Sequence, residues 1–143
     1  MEQDHTLQFV LKLARAHAAV VRRLDARLSS IHGLSFTDFM VVHYLSETPE
    51  HKLRRSELAD KLGLTASGVT RLLLPLEKIG VVGRESDPRD ARVGYAVLTP
   101  AGQTLAQDAR ATAESICNDL TTHISSRQFD TVLQILGQLA GHA

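Results

Sequence analysis

The sequence predicts a mainly α-helical chain that carries one small β-hairpin. Three observations point there. Apolar residues recur at steps of three, four or seven over most of the 143 residues, the spacing of amphipathic helices. Gly33, Pro49, Gly63, Gly80 and Pro100 cut that pattern into separate lengths, as helix stops and starts do. Residues 81–98 break the period with two β-prone runs around a polar loop built on Asp87-Pro88.

In chain order, Leu7, Leu11, Ala14, Ala18, Val21, Leu24, Leu28 and Ile31 form an a/d-like stripe on a long first helix. Such a seam needs a partner, within the chain or on a second copy of it. Ser35 and Thr37-Asp38 open a second helix, whose inner positions are Phe36, Phe39, Met40, Val42, His43 and Leu45; Pro49 ends it. Residues 56–62 form a helix of two turns, stopped by Gly63. Leu64 reads as a buried linker residue and Thr65 as the cap of the next helix. That helix turns Val69, Leu72, Leu73, Leu76 and Ile79 inward and ends at Gly80. Pro75 inside it predicts either a kink or an early end. Two helices joined by a short turn containing glycine make a helix-turn-helix.

Residues 81–85 and 93–98 suit strands, and the charged segment between them is their tip. A hairpin directly after a helix-turn-helix is the wing of a winged helix. Thr99 then caps a long helix with Pro100 in its first position. Leu105, Ala109, Ala113, Ile116, Leu120 and Ile124 lie on one stripe of it. Ser126 caps a last helix that carries Phe129, Val132, Leu133, Leu136 and Leu139. Three regions result: an N-terminal helix over 1–32, a winged helix-turn-helix over 33–99, and C-terminal helices over 100–143.

Composition narrows the class. A content of 43% hydrophobic and 22% charged residues is ordinary for a globular domain. No apolar run is long enough to span a membrane, and Met1-Glu2-Gln3-Asp4 does not read as a signal peptide. The single cysteine, Cys117, excludes an internal disulfide, so a reducing cytoplasm is the expected compartment. Sixteen basic and sixteen acidic side chains cancel to a net charge of zero, which by itself argues against a nucleic-acid partner. The distribution argues otherwise: residues 1–51 carry a net −1, residues 52–92 a net +3, and residues 93–143 a net −2. A phosphate-binding surface, where one exists, belongs in the middle.

The middle also carries a resemblance. Ser56-Glu57-Leu58-Ala59, Val69-Thr70-Arg71-Leu72 and Leu76-Glu77-Lys78-Ile79-Gly80-Val81-Val82-Gly83-Arg84 stand in order. The loop Asp87-Pro88-Arg89-Asp90-Ala91-Arg92 and the run Leu98-Thr99-Pro100-Ala101-Gly102 follow. Over about residues 33–105 this composite resembles the MarR (multiple antibiotic resistance regulator) family of bacterial winged-helix transcription factors. The resemblance implies a homodimer whose N- and C-terminal helices are dimerisation helices. It also implies double-stranded DNA as partner, each winged helix binding half of a pseudo-palindromic operator, with repression relieved by a small-molecule effector as the expected function.

On that reading the second helix of the pair enters the major groove. Ala66, Ser67, Thr70 and Arg71 lie off its apolar face. Arg71 is the residue suited to bidentate contact with guanine; its plain alternative is a solvated or salt-bridged surface arginine, with Glu77 near enough along the chain to pair. Ser67 and Thr70 suit phosphate or adaptable base contacts. Arg54, Arg55, Lys52 and Arg84 are further phosphate candidates. In the wing, Asp87 and Asp90 can brace one of Arg89 and Arg92 and leave the other free for a narrow minor groove. The resemblance implies Arg92 for that role, with Arg89 open beside it.

Many members of the family take a small phenolic or anionic effector between the dimer base and the winged helix. Its wall residues here would be Arg15, His17, Phe39, His43 and Arg110; the plain alternative for each histidine is ordinary packing. Cys117 raises a thiol-based redox regulator as an alternative, but no basic residue within a turn lowers its pKa, and a buried, inert cysteine is expected. The histidines, His5, His17, His32, His43, His51, His123 and His142, include no pair at metal-ligand spacing, so neither metal nor cofactor is expected. No phosphate-binding glycine loop or nucleophile elbow suggests an enzyme. A winged helix that binds protein instead of DNA remains a second reading, told apart by an apolar outward face.

Overall fold

A computed structural model describes residues 2–141 of the chain, with side chains from Asp4 onward; Met1, His142 and Ala143 lie outside the described residues. Six helices and three short strands follow one another: α1 (Glu2–His32), α2 (Phe36–Ser46), β1 (Lys52–Arg54), α3 (Arg55–Leu62), α4 (Ala66–Lys78), β2 (Val82–Ser86), β3 (Gly94–Leu98), α5 (Pro100–Leu120) and α6 (Ser126–Leu139).

Most boundaries are set locally, where the sequence places them. Ser35 accepts from the Asp38 amide while Asp38 accepts from the Ser35 amide, a reciprocal cap on α2. Thr65 caps α4 through the Gly68 amide, and Thr99 caps α5 through the Gly102 amide. Gly63 closes α3 in the left-handed region at φ 66°, where glycine has no Cβ penalty. Helix α4 runs on through Pro75 to Lys78, so the early end does not occur.

Other expectations need correction. The cap of α6 is Ser125, not Ser126, because Gln128 reaches back to the Ser125 amide and fixes the register. Helix α5 stops at Leu120, one turn before Ile124, which is exposed. Leu64 and Ile79 are exposed as well, each at a turn beyond the helix face that the core covers. A third strand, β1, adds to the wing: it pairs antiparallel with β3, giving the order β1-β3-β2 with Leu53 opposite Ala96. Three residues are too few to show an alternating pattern.

One core joins the elements. Leu24 and Leu28 of α1, Val41, Val42 and Leu45 of α2, Leu58 of α3, Val69 and Leu73 of α4, and Ala96 and Leu98 of β3 are all buried. Helix α5 meets this core through Ala106, Ala109, Ala113 and Ile116, and the three alanines are small enough to let α2 approach closely. Asp25 accepts the Phe36 amide at 2.7 Å and ties α1 to the start of α2. His32 and Thr112 meet at 2.7 Å and tie α1 to α5.

Two helical stretches lie outside this core. Every described residue of α1 from Asp4 to Val20 is exposed, and no residue of α6 is buried. Leu7, Leu11, Leu133 and Leu136 thus face outward.

Candidate nucleic-acid interface

Helix α4 presents the outward face that its period requires. Val69, Leu73 and Leu76 are buried, and Ala66, Ser67, Thr70 and Arg71 are exposed. Leu74 is exposed too. At four and seven residues after Ser67, Arg71 and Leu74 share its row, a spacing already present in the sequence.

Glu77 organises the cations around this helix. Its Oε1 accepts from Arg84 Nε at 2.9 Å and stands 3.7 Å from Arg55 Nη1. The Arg55 Nη2 donates to Thr70 Oγ1 at 3.1 Å. Arg55, expected as a phosphate contact, is therefore turned into the protein, with its side chain only 23% exposed. Arg84, 57% exposed, keeps an open face beside its carboxylate. With Glu77 occupied, no hydrogen bond or ion pair joins the Arg71 guanidinium to another described residue. The Arg71–Glu77 pairing weighed from the sequence does not form.

The wing is braced by both expected carboxylates. Asp87 accepts from the Arg89 amide at 2.7 Å and from the Tyr95 hydroxyl at 3.1 Å. Asp90 accepts from the Arg92 amide at 3.0 Å and from Arg92 Nε at 3.1 Å, with Nη2 at 3.4 Å. These donors hold both carboxyls below their ordinary pKa, the Arg89 amide first for Asp87 and the Arg92 guanidinium first for Asp90. The braced arginine is thus Arg92, whose side chain is still 92% exposed. The Arg89 guanidinium has no ion-pair partner among the described residues. The free arginine is therefore Arg89, whereas the one the resemblance implies for the minor groove is Arg92.

At the root of the wing, Lys52 reaches Glu85 at 2.9 Å and Glu50 at 3.5 Å, and lies over the Tyr95 ring. Its charge is locally cancelled. Arg54 is exposed opposite Tyr95, while its amide is held by Glu57. Tyr95 thus anchors the wing twice, a role the sequence reading missed.

Known proteins share the fold of this chain. The family model described as MarR family matches residues 32–93. The crystal structure of transcriptional regulator PA3341 is 32% identical and superimposes with a TM-score of 0.80, covering 93% of this chain and 96% of that one. The chain belongs to the MarR family. Among curated members, the HTH-type transcriptional regulator MhqR of Bacillus subtilis is 22% identical over 140 residues, 98% of this chain and 94% of MhqR. Sco3205, a MarR family transcriptional regulator from Streptomyces coelicolor solved in complex with DNA, is 25% identical with a TM-score of 0.86, over 93% of this chain and 84% of that one.

The effector residues expected in this MarR-family chain are not gathered in one place. Phe39 is buried in the core. His43 is half-buried, stacks on Phe39 and pairs with Glu47 at 3.3 Å. Arg110 donates to Glu114 at 2.8 Å and lines a cavity of about 230 Å³ with Ser46, His51, Gln103, Ala106 and Gln107. Arg15 and His17 stand on the exposed half of α1. Cys117 is exposed, correcting its expected burial: it lies on α5 beside Ile116, which is the residue that turns inward. Its thiol pKa is raised, by partial burial first and the Glu114 charge second.

Proposed function

We propose that this chain is a homodimeric, sequence-specific DNA-binding repressor. Helix α4 enters the major groove and the wing enters the minor groove of a pseudo-palindromic operator. The observation that carries this reading is the unpaired, exposed Arg71 on the outward row of α4. A guanidinium without a protein partner is available for bidentate contact with guanine O6 and N7. Ser67 stands beside it. Arg84 and Arg54 are the phosphate contacts of this reading, and Arg92 is the minor-groove residue. Asp90 supplies what a loop arginine lacks, a fixed aim, so less freedom is lost on binding.

The outward apolar faces of α1 and α6 support the dimer. Their leucines form apolar surface that a second copy would cover, joining residues 1–32 and 100–143 of two chains around two copies of 33–99. The resulting particle carries two +3 reading segments within a neutral whole, so long-range attraction to DNA is modest and local arginines dominate.

A small anionic or phenolic effector is proposed at the Arg110 cavity between the α2–β1 turn and α5, with Ser46 and His51 in its wall. A ligand there would release DNA only by preferring the conformer whose half-site spacing does not fit. NadR, solved in complex with 4-hydroxyphenylacetate, shares the fold at a TM-score of 0.79 and 20% identity, over 91% of this chain and 90% of that one. The repressor assignment leans on the E. coli relative named transcriptional repressor MprA, 26% identical over 113 residues, 79% of this chain and 64% of MprA.

Selection of bound duplexes from random DNA tests the reading. Enrichment of a two-fold symmetric sequence with half-sites about one helical turn apart is expected, with Arg71→Ala relaxing one base position in each half. Absence of any enriched sequence overturns it.

A further inference from the structure

Thr70 lies on the reading helix, yet its hydroxyl is already engaged on both sides. Oγ1 donates its one proton to the Ala66 carbonyl at 3.1 Å and accepts from Arg55 Nη2 at 3.1 Å. A hydroxyl has a single proton, so Thr70 has none left for a phosphate oxygen or for a guanine or thymine acceptor. The substituent of Cβ without a partner is the γ-methyl, and the residue is exposed.

Arg55 is held firmly enough to keep this arrangement. It opens α3, and its Nη1 faces Glu77, which is itself drawn to Arg84. Its stem lies against β3: a Cβ built on Gly94 would stand 3.3 Å from Arg55 Cδ. Glu77 is only 19% exposed, and Arg55 Nη1 is buried without a hydrogen-bond partner. Three elements of the winged helix therefore fix the guanidinium that fixes Thr70.

We propose that Thr70 reads a thymine methyl through its γ-methyl, and that Arg55 is the positioning residue that turns the Thr70 hydroxyl inward. The thymine C5-methyl is the apolar feature of the major-groove edge, and a threonine methyl suits it. The proposal rests on the DNA-binding reading above and adds a base identity to it. Arg55 then acts on specificity through Thr70 without touching DNA.

The test uses the full-length protein and the duplex that the wild type selects from random DNA. Thr70→Val keeps the methyl and removes the hydroxyl; it is expected to bind that duplex within about threefold of wild type. Thr70→Ser keeps the hydroxyl and removes the methyl; it is expected to lose roughly fourfold per half-site, the scale of one buried methyl group. Replacing the contacted thymine by deoxyuridine should cost the wild type the same factor and cost Thr70→Ser nothing more. Arg55→Met should weaken the thymine preference in a repeated selection while the salt dependence of binding keeps its slope, and Arg55→Lys should restore the preference. A phosphate contact at Arg55 would instead lower the slope by about one.

A tenfold loss with Thr70→Val, or indifference to deoxyuridine at every position, overturns the proposal while leaving DNA binding intact. A reduced salt slope in Arg55→Met overturns the role of Arg55. If the wild type selects no duplex, the DNA-binding reading falls and this one falls with it. Should Arg55→Met fail to fold, the Thr70 variants and the deoxyuridine duplexes still decide the reading of the methyl.

Discussion

Gly102 lies directly against the carbonyl of Val81, so close that a Cβ at Gly102 would overlap that oxygen and crowd the Leu98 side chain. The contact joins the first turn of α5 to the entry of β2. Thr99 completes the joint: its hydroxyl lies 2.6 Å from the Gly80 carbonyl and 2.9 Å from that of Val81. The glycine and threonine of the Leu98-Thr99-Pro100-Ala101-Gly102 run thus serve one junction between the winged helix and α5. Gly102→Ala is expected to destabilise the protein by about 1–3 kcal/mol, the range for overpacking a filled site. Thr99→Ala should cost about 1 kcal/mol as a lost cap. Urea unfolding checks both; an unchanged midpoint for Gly102→Ala would show that the junction yields freely.

In the wing, Arg92→Ala is expected to weaken operator binding tenfold or more at matched salt, with circular dichroism and dimer mass unchanged. Arg89→Ala should cost less, since nothing aims that side chain. The reverse order in a fluorescence-anisotropy titration would assign the minor groove to Arg89.

The wing carboxylates give a pH dependence with a definite sign. Hydrogen bonds hold Asp87 and Asp90 below their ordinary pKa, so their bracing is complete above the unfolded value, near 3.9. It is lost as pH falls through the lower folded value. Carboxyl NMR titration should place both midpoints below about 3.9, and Arg92→Ala should raise that of Asp90. A midpoint for Asp90 at or above the ordinary value would mean that the Arg92 brace is absent in solution.

Cys117 should be a slow thiol. Burial and Glu114 both raise its pKa, so the thiolate that reacts is scarce at neutral pH. Alkylation by iodoacetamide is expected to be slower at pH 7 than for free cysteine and to speed up as pH rises; Glu114→Gln should accelerate it. Faster reaction than free cysteine would reopen the redox reading.

The apolar leucines of α6 should be interface residues. Leu133→Glu with Leu136→Glu is expected to sediment as a monomer and to lose operator binding, since one half-site alone holds weakly. A double variant that remains dimeric would move the interface elsewhere.

Helix ends were the most legible part of this chain. Ser35, Thr65 and Thr99 cap the amides of residues three positions on, and Gly63 and Gly80 adopt positive φ where the helices stop. These interactions span a few residues, so the local sequence carries them. Ser125 against Ser126 was ambiguous because two adjacent serines can each cap, and only the Gln128 side chain separates them. The strand β1 was invisible because its partner, β3, lies more than forty residues away.

The sequence alone determined the order of helices, the position of the helix-turn-helix and wing, the outward direction of Ser67, Thr70 and Arg71, and the resemblance to the family. Only the tertiary structure decided how the charges are shared. It gave Glu77 to Arg84 and Arg55 instead of Arg71, gave Asp90 to Arg92 instead of Arg89, and turned the Thr70 hydroxyl toward Arg55. The periodicity of a helix is a property of neighbours along the chain. The choice of an ion-pair partner depends on distance in space, and Arg55 meets Thr70 fifteen residues away because α3 packs on α4.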